Sequence, residues 1–225
     1  MLEFLLYNLS RYLDLKYLSK ELPLEFKDYY SVDEYARSQE YLIENTRFSY
    51  FISCFDLVVI FLVIFSGFFN VIDVVVRSYG FSSIITGLLF FGLLFLLQDI
   101  LNTPFSIYRT FVIEEKFGFN KTTPKTYIID KIKSYILIII FGGLILSIIL
   151  YFFVHLGNFA WLYAWIIISI FMVLIQPLFT LFIAPLFNTF SPLEDGSLKD
   201  RIIKFTKKVN FPIGRIDVMD GSLRT

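Results

Sequence analysis

The chain has 225 residues, 56% of them hydrophobic and 20% aromatic, with 20 Lys plus Arg balancing 20 Asp plus Glu. Soluble domains hold about 45–50% apolar residues, so the excess needs a home other than a water-soluble core. The balanced charge argues against nucleic acid as a partner, because phosphate binding needs a surplus of Lys and Arg.

From the N-terminus, residues 1–9 carry Leu2, Phe4, Leu5, Leu6, Tyr7 and Leu9, but Arg11 follows too soon for a span. This stretch reads either as the end of a span whose start is missing or as a helix lying on the membrane surface. It lacks the charged start and small-residue cleavage site of a signal peptide. Residues 10–47 are mixed and charged. Pro23 breaks them, and Ser31-Val32-Asp33-Glu34 has the chemistry of a helix start with an acidic first turn. A helix over 32–46, leading into the first span, is expected.

A helix needs about 20 mostly apolar residues to cross roughly 30 Å of hydrocarbon. Four blocks meet this, at about 50–69, 82–101, 135–154 and 160–186. In the third, Gly142-Gly143 would permit a close helix contact or a flexible point. In the fourth, Pro177 and Pro185 predict a kink or a break into two pieces. The fold class is therefore all-α: a polytopic helical membrane protein with a short apolar N-terminal segment and an incomplete α/β tail. In that tail Ser191-Pro192-Leu193-Glu194-Asp195-Gly196 is turn chemistry. Ser197 would cap a helix, with Asp200 in its first turn and Leu198, Ile202, Phe205 and Val209 forming one apolar stripe. Residues 215–219 alternate like a strand, followed by a turn at Asp220-Gly221. One helix and one unpaired strand cannot close a core. The tail reads as the opening of a domain that is not here.

Lys and Arg set the orientation. They concentrate in 1–47, 102–134 and the stretch after 187, while the connectors 70–81 and 155–159 hold only Arg77. Four spans put all three basic stretches on one side, expected to be the cytoplasm.

Ionisable and polar residues inside spans suggest function by default. The candidate intramembrane cluster is Asp56, Gln98, Asp99 and Gln176, with Asn102 a further possible partner for Asp56. His155 closes the third block as an interfacial residue. Because His155 and Cys54 are the sole representatives of their types, no intrachain disulfide can form and no HExxH helix, which needs two histidines, can be built. There is also no phosphate-binding glycine loop and no GxSxG turn.

One stretch is highly specific. Residues 104–124, PFSIYRTFVIEEKFGFNKTTP, closely resemble the long cytoplasmic connector of the CAAX prenyl protease 1 family of integral membrane zinc metallopeptidases. Ala184-Pro185-Leu186-Phe187-Asn188 and Ser191-Pro192-Leu193-Glu194-Asp195-Gly196 resemble the end of that family's N-terminal membrane region. Val209-Asn210-Phe211-Pro212 and Val218-Met219-Asp220-Gly221-Ser222 look like the start of its peptidase domain, and Arg11-Tyr12-Leu13-Asp14-Leu15-Lys16 and Ser38-Gln39-Glu40-Tyr41 fit its first connector.

The resemblance implies membrane helices enclosing a chamber, a cytoplasmic peptidase domain, and zinc held by HExxH and a downstream Glu. No zinc-binding or catalytic residue carries over, because no position here matches them. The expected organisation is a membrane region at 1–190 and the start of a truncated peptidase domain at 191–225. Zinc belongs to the complete family and no cofactor is expected on this chain alone. The expected partners are the lipid bilayer and either a HExxH-containing C-terminal peptidase fragment or an intact homologue. A non-catalytic membrane scaffold or interaction protein is the alternative. A small transporter, resting on Asp56 and the Pro-containing fourth span, ranks last.

Overall fold

The computed structural model describes residues 2–19, 21–23, 26, 28–29 and 31–220. Met1 of the apolar N-terminal stretch and Gly221 of the expected turn lie outside these residues. The chain divides into two compact units, Met1–Asn120 and Lys121–Thr225.

The first unit opens with α1, Leu2–Tyr17, which continues well past Arg11. Its 16 residues rise about 24 Å. The Tyr50 hydroxyl donates to the carbonyl of Asn8, tying α1 to the next helix. That helix, α2, runs Val32–Phe65 without interruption. The expected helix over 32–46 and the first span are thus one element, because nothing in Arg47-Phe48-Ser49 stops a helix. Ser31 caps it: the Glu34 amide donates to the Ser31 hydroxyl (3.2 Å), while the Ser31 amide donates to the Glu34 carboxylate (3.4 Å).

The span ends earlier than the hydropathy block, which extended to 69. Gly67, in the left-handed region at φ 72°, turns the chain there. The residues after this turn form a third helix, α3, Phe68–Arg77, rather than a simple connector. Helix α4, Ser83–Phe117, contains the second span and continues far into the stretch expected to be a connector. It includes Pro104 and a π-helical segment at Arg109–Glu114.

In the second unit α5, Pro124–His155, contains the third span. Thr123 caps it by accepting from the Thr126 amide (3.1 Å), with Pro124 in the first turn where a missing N–H costs nothing. Gly142 and Gly143 do not mark a close helix contact: a Cβ at Gly143 would meet nothing within 4 Å, and one at Gly142 would touch only Ile138 at 3.7 Å. Helix α6, Gly157–Phe187, holds the fourth span. Its prolines do not break it into two helices. Each lacks the N–H that would serve the carbonyl four residues back, and the backbone passes into a π segment, Phe179–Ile183, between them. Lys133 of α5 donates to the Leu186 carbonyl (2.7 Å) at the end of α6, satisfying one of the orphan acceptors there.

The strand at the tail is paired. β1, Thr189–Pro192, runs antiparallel to β2, Asp217–Asp220, with Phe190 opposite Met219. Residues 191 and 192, expected in a turn, therefore belong to β1, and the Leu193 amide extends the pairing to Ile216 (2.9 Å). Between the strands lies α7, Ser197–Lys208. Its cap is Gly196 and not Ser197, whose side chain makes no capping bond. Lys199 donates to Asp195 (2.7 Å) and holds that carboxyl below the usual carboxylate range, first by the hydrogen bond and then by its charge.

Helices α2, α4, α5 and α6 are long and apolar enough to cross a membrane, and at most 6% of each apolar window is buried within the protein. Buried side chains such as Val76, Ile113 and Phe117 lie mainly towards the ends of the first unit's helices.

Candidate functional site

The residues with the most specific sequence signal form the outer end of α4. That helix stops at Gly118, whose φ of 80° needs no Cβ. The Gly118 amide donates to Glu115 (3.0 Å) and the Phe119 amide to Glu114 (2.9 Å), the paired bonds of a left-handed helix stop. The Asn120 side chain donates to the Glu115 carboxylate (2.8 Å) and holds the turn.

Helix α2 presents one face to this segment. Its residues 37, 41, 44, 48, 51 and 55 recur alternately every four and three positions, the spacing of a single packed seam. All six meet α4 or its turn. Arg37 donates to the Phe117 carbonyl (3.0 Å). The Tyr41 ring lies edge-on to Phe117 (5.3 Å) and Phe119 (4.8 Å). Glu44 pairs with Lys116. Phe48, Phe51 and Phe55 surround the Phe105 ring at 6.3, 5.9 and 4.9 Å, and Phe48 also meets Tyr108 at 4.9 Å.

Arg109 stands at the middle of the seam. It donates to the Ser49 hydroxyl (3.1 Å) and lies 5.8 Å from the Phe48 ring. Its Nε is buried without a hydrogen-bond partner. Thus the seam changes character along its length, aromatic where α2 and α4 enter the apolar blocks and charged beyond them. At its outer end an open cavity of 830 Å³ is walled by the rings of Phe26, Tyr29, Tyr35, Phe117 and Phe119 together with Glu34, Arg37 and Ser38. Its walls therefore combine aromatic rings with one guanidinium and one carboxylate.

The sequence candidates fall elsewhere. Asp56 is half-buried on α2 and makes no hydrogen bond among the described residues. Gln98 is exposed on α4, and the neighbouring Asp99 is half-buried. The Thr103 hydroxyl donates to the Asp99 carbonyl (2.6 Å) and lies 3.3 Å from its carboxylate. Gln176 belongs to the second unit, where its carbonyl accepts from the Thr180 hydroxyl (3.2 Å). His155 ends α5 with its ring 4.6 Å from that of Tyr151.

Arg37, Glu44, Ser49 and Arg109, which build the seam, are absent from the sequence candidates. The four-three spacing along α2 was the signal that could have found Arg37 and Glu44; Ser49 lies off that register and Arg109 on the facing helix, and no sequence signal joins them. Among the described residues no group of three or more His, Cys, Asp or Glu could hold a metal ion. The donors present therefore do not fit the zinc of the family that the sequence resembles, and no catalytic step through zinc is assigned to this chain.

A family model described as CAAX prenyl protease N-terminal, five membrane helices, matches residues 12–189. CAAX prenyl protease 1 of Saccharomyces cerevisiae is 41% identical over 151 residues, covering 67% of this chain and 33% of that protein. The CAAX prenyl protease 1 homolog of Arabidopsis thaliana is 31% identical over 231 residues, covering 98% of this chain and 54% of that protein. The crystal structure of S. mikatae Ste24p superposes with a TM-score of 0.89 at 33% identity, over 99% of this chain and 53% of that one. The chain thus spans about half the length, or less, of the relatives it matches.

Proposed function

This chain belongs to the CAAX prenyl protease N-terminal family, and from that premise we propose that it is the membrane-embedded N-terminal part of a CAAX prenyl protease-like zinc metalloendopeptidase, acting in CAAX-box protein processing or membrane protein proteolysis. The observation that carries the reading is the similarity to S. mikatae Ste24p over 99% of the chain at a TM-score of 0.89. On this reading residues 1–190 are the membrane region and 191–225 begin the peptidase domain. The basic stretches 1–47, 102–134 and 187–225 face the cytoplasm, as their Lys and Arg content favours. Asp56, Gln98, Asp99 and Gln176 serve as polar positions within the membrane region, reached by water or polar partners.

With a single histidine, these 225 residues hold no HExxH pair, so on this reading zinc binding and cleavage need a segment that carries one. Its own contribution is to position. The α2–α4 seam fixes the outer end of α4, and β1, α7 and β2 offer an edge and an apolar stripe against which a peptidase segment packs. Leu198, Phe205 and Val209 of that stripe are all more than half exposed.

The test is zinc content and cleavage of a prenylated CAAX peptide by the purified chain, with and without a co-expressed HExxH-containing C-terminal fragment from a homologue. Zinc and cleavage that appear only with the fragment, and vanish when the fragment's HExxH glutamate is changed to glutamine, support the reading. A complex that binds zinc without cleaving, or no complex at all, would leave the alternative of a non-catalytic scaffold derived from the family.

A further inference from the structure

Helix α3 has three faces. Ile72 and Val76 are buried, at 8% and 2% exposure, against the neighbouring helices of the first unit. Asn70, Asp73 and Arg77 form a polar stripe, and Arg77 donates to the Asp73 carboxylate (2.7 Å). On the remaining side Val71, Val74 and Val75 stand 57%, 59% and 47% exposed, leaving an apolar face that the described protein does not cover.

On a helical wheel the polar stripe lies opposite the middle of the whole apolar arc, which is the geometry of a helix held at an apolar–aqueous boundary. Ten residues rise only about 15 Å, half the hydrocarbon thickness, so α3 cannot cross. Nor can it leave the membrane by much. Two residues separate it from the end of α2 and five from the start of α4, and both of those helices are membrane spans. Exposed aromatic side chains mark both ends: Phe65 just before the helix and Phe69 in its first turn, and the stacked pair Tyr79 and Phe81 (6.1 Å) just after it. Aromatic rings of this kind concentrate at the headgroup level of bilayers.

We infer that α3 is an interfacial helix, lying in the headgroup–acyl boundary of the leaflet where the first span ends, with Val71, Val74 and Val75 in the acyl region and Asn70, Asp73 and Arg77 towards water. The occupant of the uncovered face is lipid, because the face is apolar and the short connections to two apolar, membrane-length helices keep it at the bilayer. The helix fixes the depth at which α2 stops and α4 starts. Gly67 supplies the sharp turn that lays α3 down: its φ of 72° is a conformation other residues rarely adopt.

The test is site-directed spin labelling of the full chain in phosphatidylcholine vesicles, with Cys54→Ser as background and single cysteines at 70, 71, 73, 74, 75 and 77. The expected result is a reversal of collision preference along the helix. Labels at 71, 74 and 75 collide more with oxygen, which concentrates in acyl chains, and labels at 70, 73 and 77 collide more with a water-soluble nickel chelate. Circular dichroism confirms that each variant keeps its helix content. A preference for nickel at 71, 74 and 75 would overturn the inference by placing that face in water. Protection of the same positions from both reagents would overturn it by showing a protein partner there.

Discussion

Arg109 shows how one side chain can hold two long helices in register. Its guanidinium emerges from the π-helical segment of α4 and reaches Ser49 on α2 while lying near the Phe48 ring. Hydrogen bonds to a charged group contribute about 1.5–3 kcal/mol, and a cation over an aromatic ring adds about 0.5–1 kcal/mol at exposed sites. Arg109→Ala removes both and should lower stability by about 2 kcal/mol, measured as thermal unfolding in detergent. Arg109→Lys keeps the charge but not the planar fork, so it should fall between alanine and wild type. If alanine and lysine variants both unfold at the wild-type temperature, Arg109 does not hold the seam. By contrast the exposed Lys116–Glu44 pair at the outer end should add well under 1 kcal/mol, because water screens it.

At the scale of elements, the end of α4 depends on backbone conformation more than on contacts. Gly118 has room for a Cβ, whose nearest neighbour would be the Arg37 guanidinium at 3.6 Å, but its φ of 80° disfavours any residue with one. Gly118→Ala should therefore destabilise the protein by about 1–2 kcal/mol through backbone strain alone. It should also raise amide exchange at Phe119 and Asn120, whose N–H groups bond to Glu114. Unchanged exchange at both amides would show that the stop does not rest on the glycine. The membrane spans were legible from hydropathy, since each of the four apolar blocks lies largely within a helix. Their ends were not, because helices α2 and α4 keep going where side chains become polar, supported by each other across the seam. That seam stayed hidden in the sequence because its residues are of four kinds: a cation, an anion, a tyrosine and phenylalanines. Only their four-three spacing unites them. Helix α3 was passed over as a connector because a ten-residue segment falls below any span criterion. The strand near 217 was found but its partner was not, because Ser191-Pro192 read as the start of a turn, which the pairing overrides.

At the scale of the molecule, the apolar excess, the four spans and the charge balance have one explanation. Many large hydrophobic side chains of α2, α4, α5 and α6 are exposed, and these helices are long and apolar enough to cross a membrane. The chain belongs to the CAAX prenyl protease N-terminal family, and the central claim is that it performs that family's membrane role. A chimera tests this most directly. The matching membrane region of Saccharomyces cerevisiae CAAX prenyl protease 1 would be replaced by residues 12–189, leaving the yeast peptidase region intact. Cleavage of a prenylated CAAX peptide would then be measured with the purified protein. The expected result is a folded chimera that binds zinc and cleaves the peptide. A chimera that folds and binds zinc but leaves the peptide uncut would contradict it.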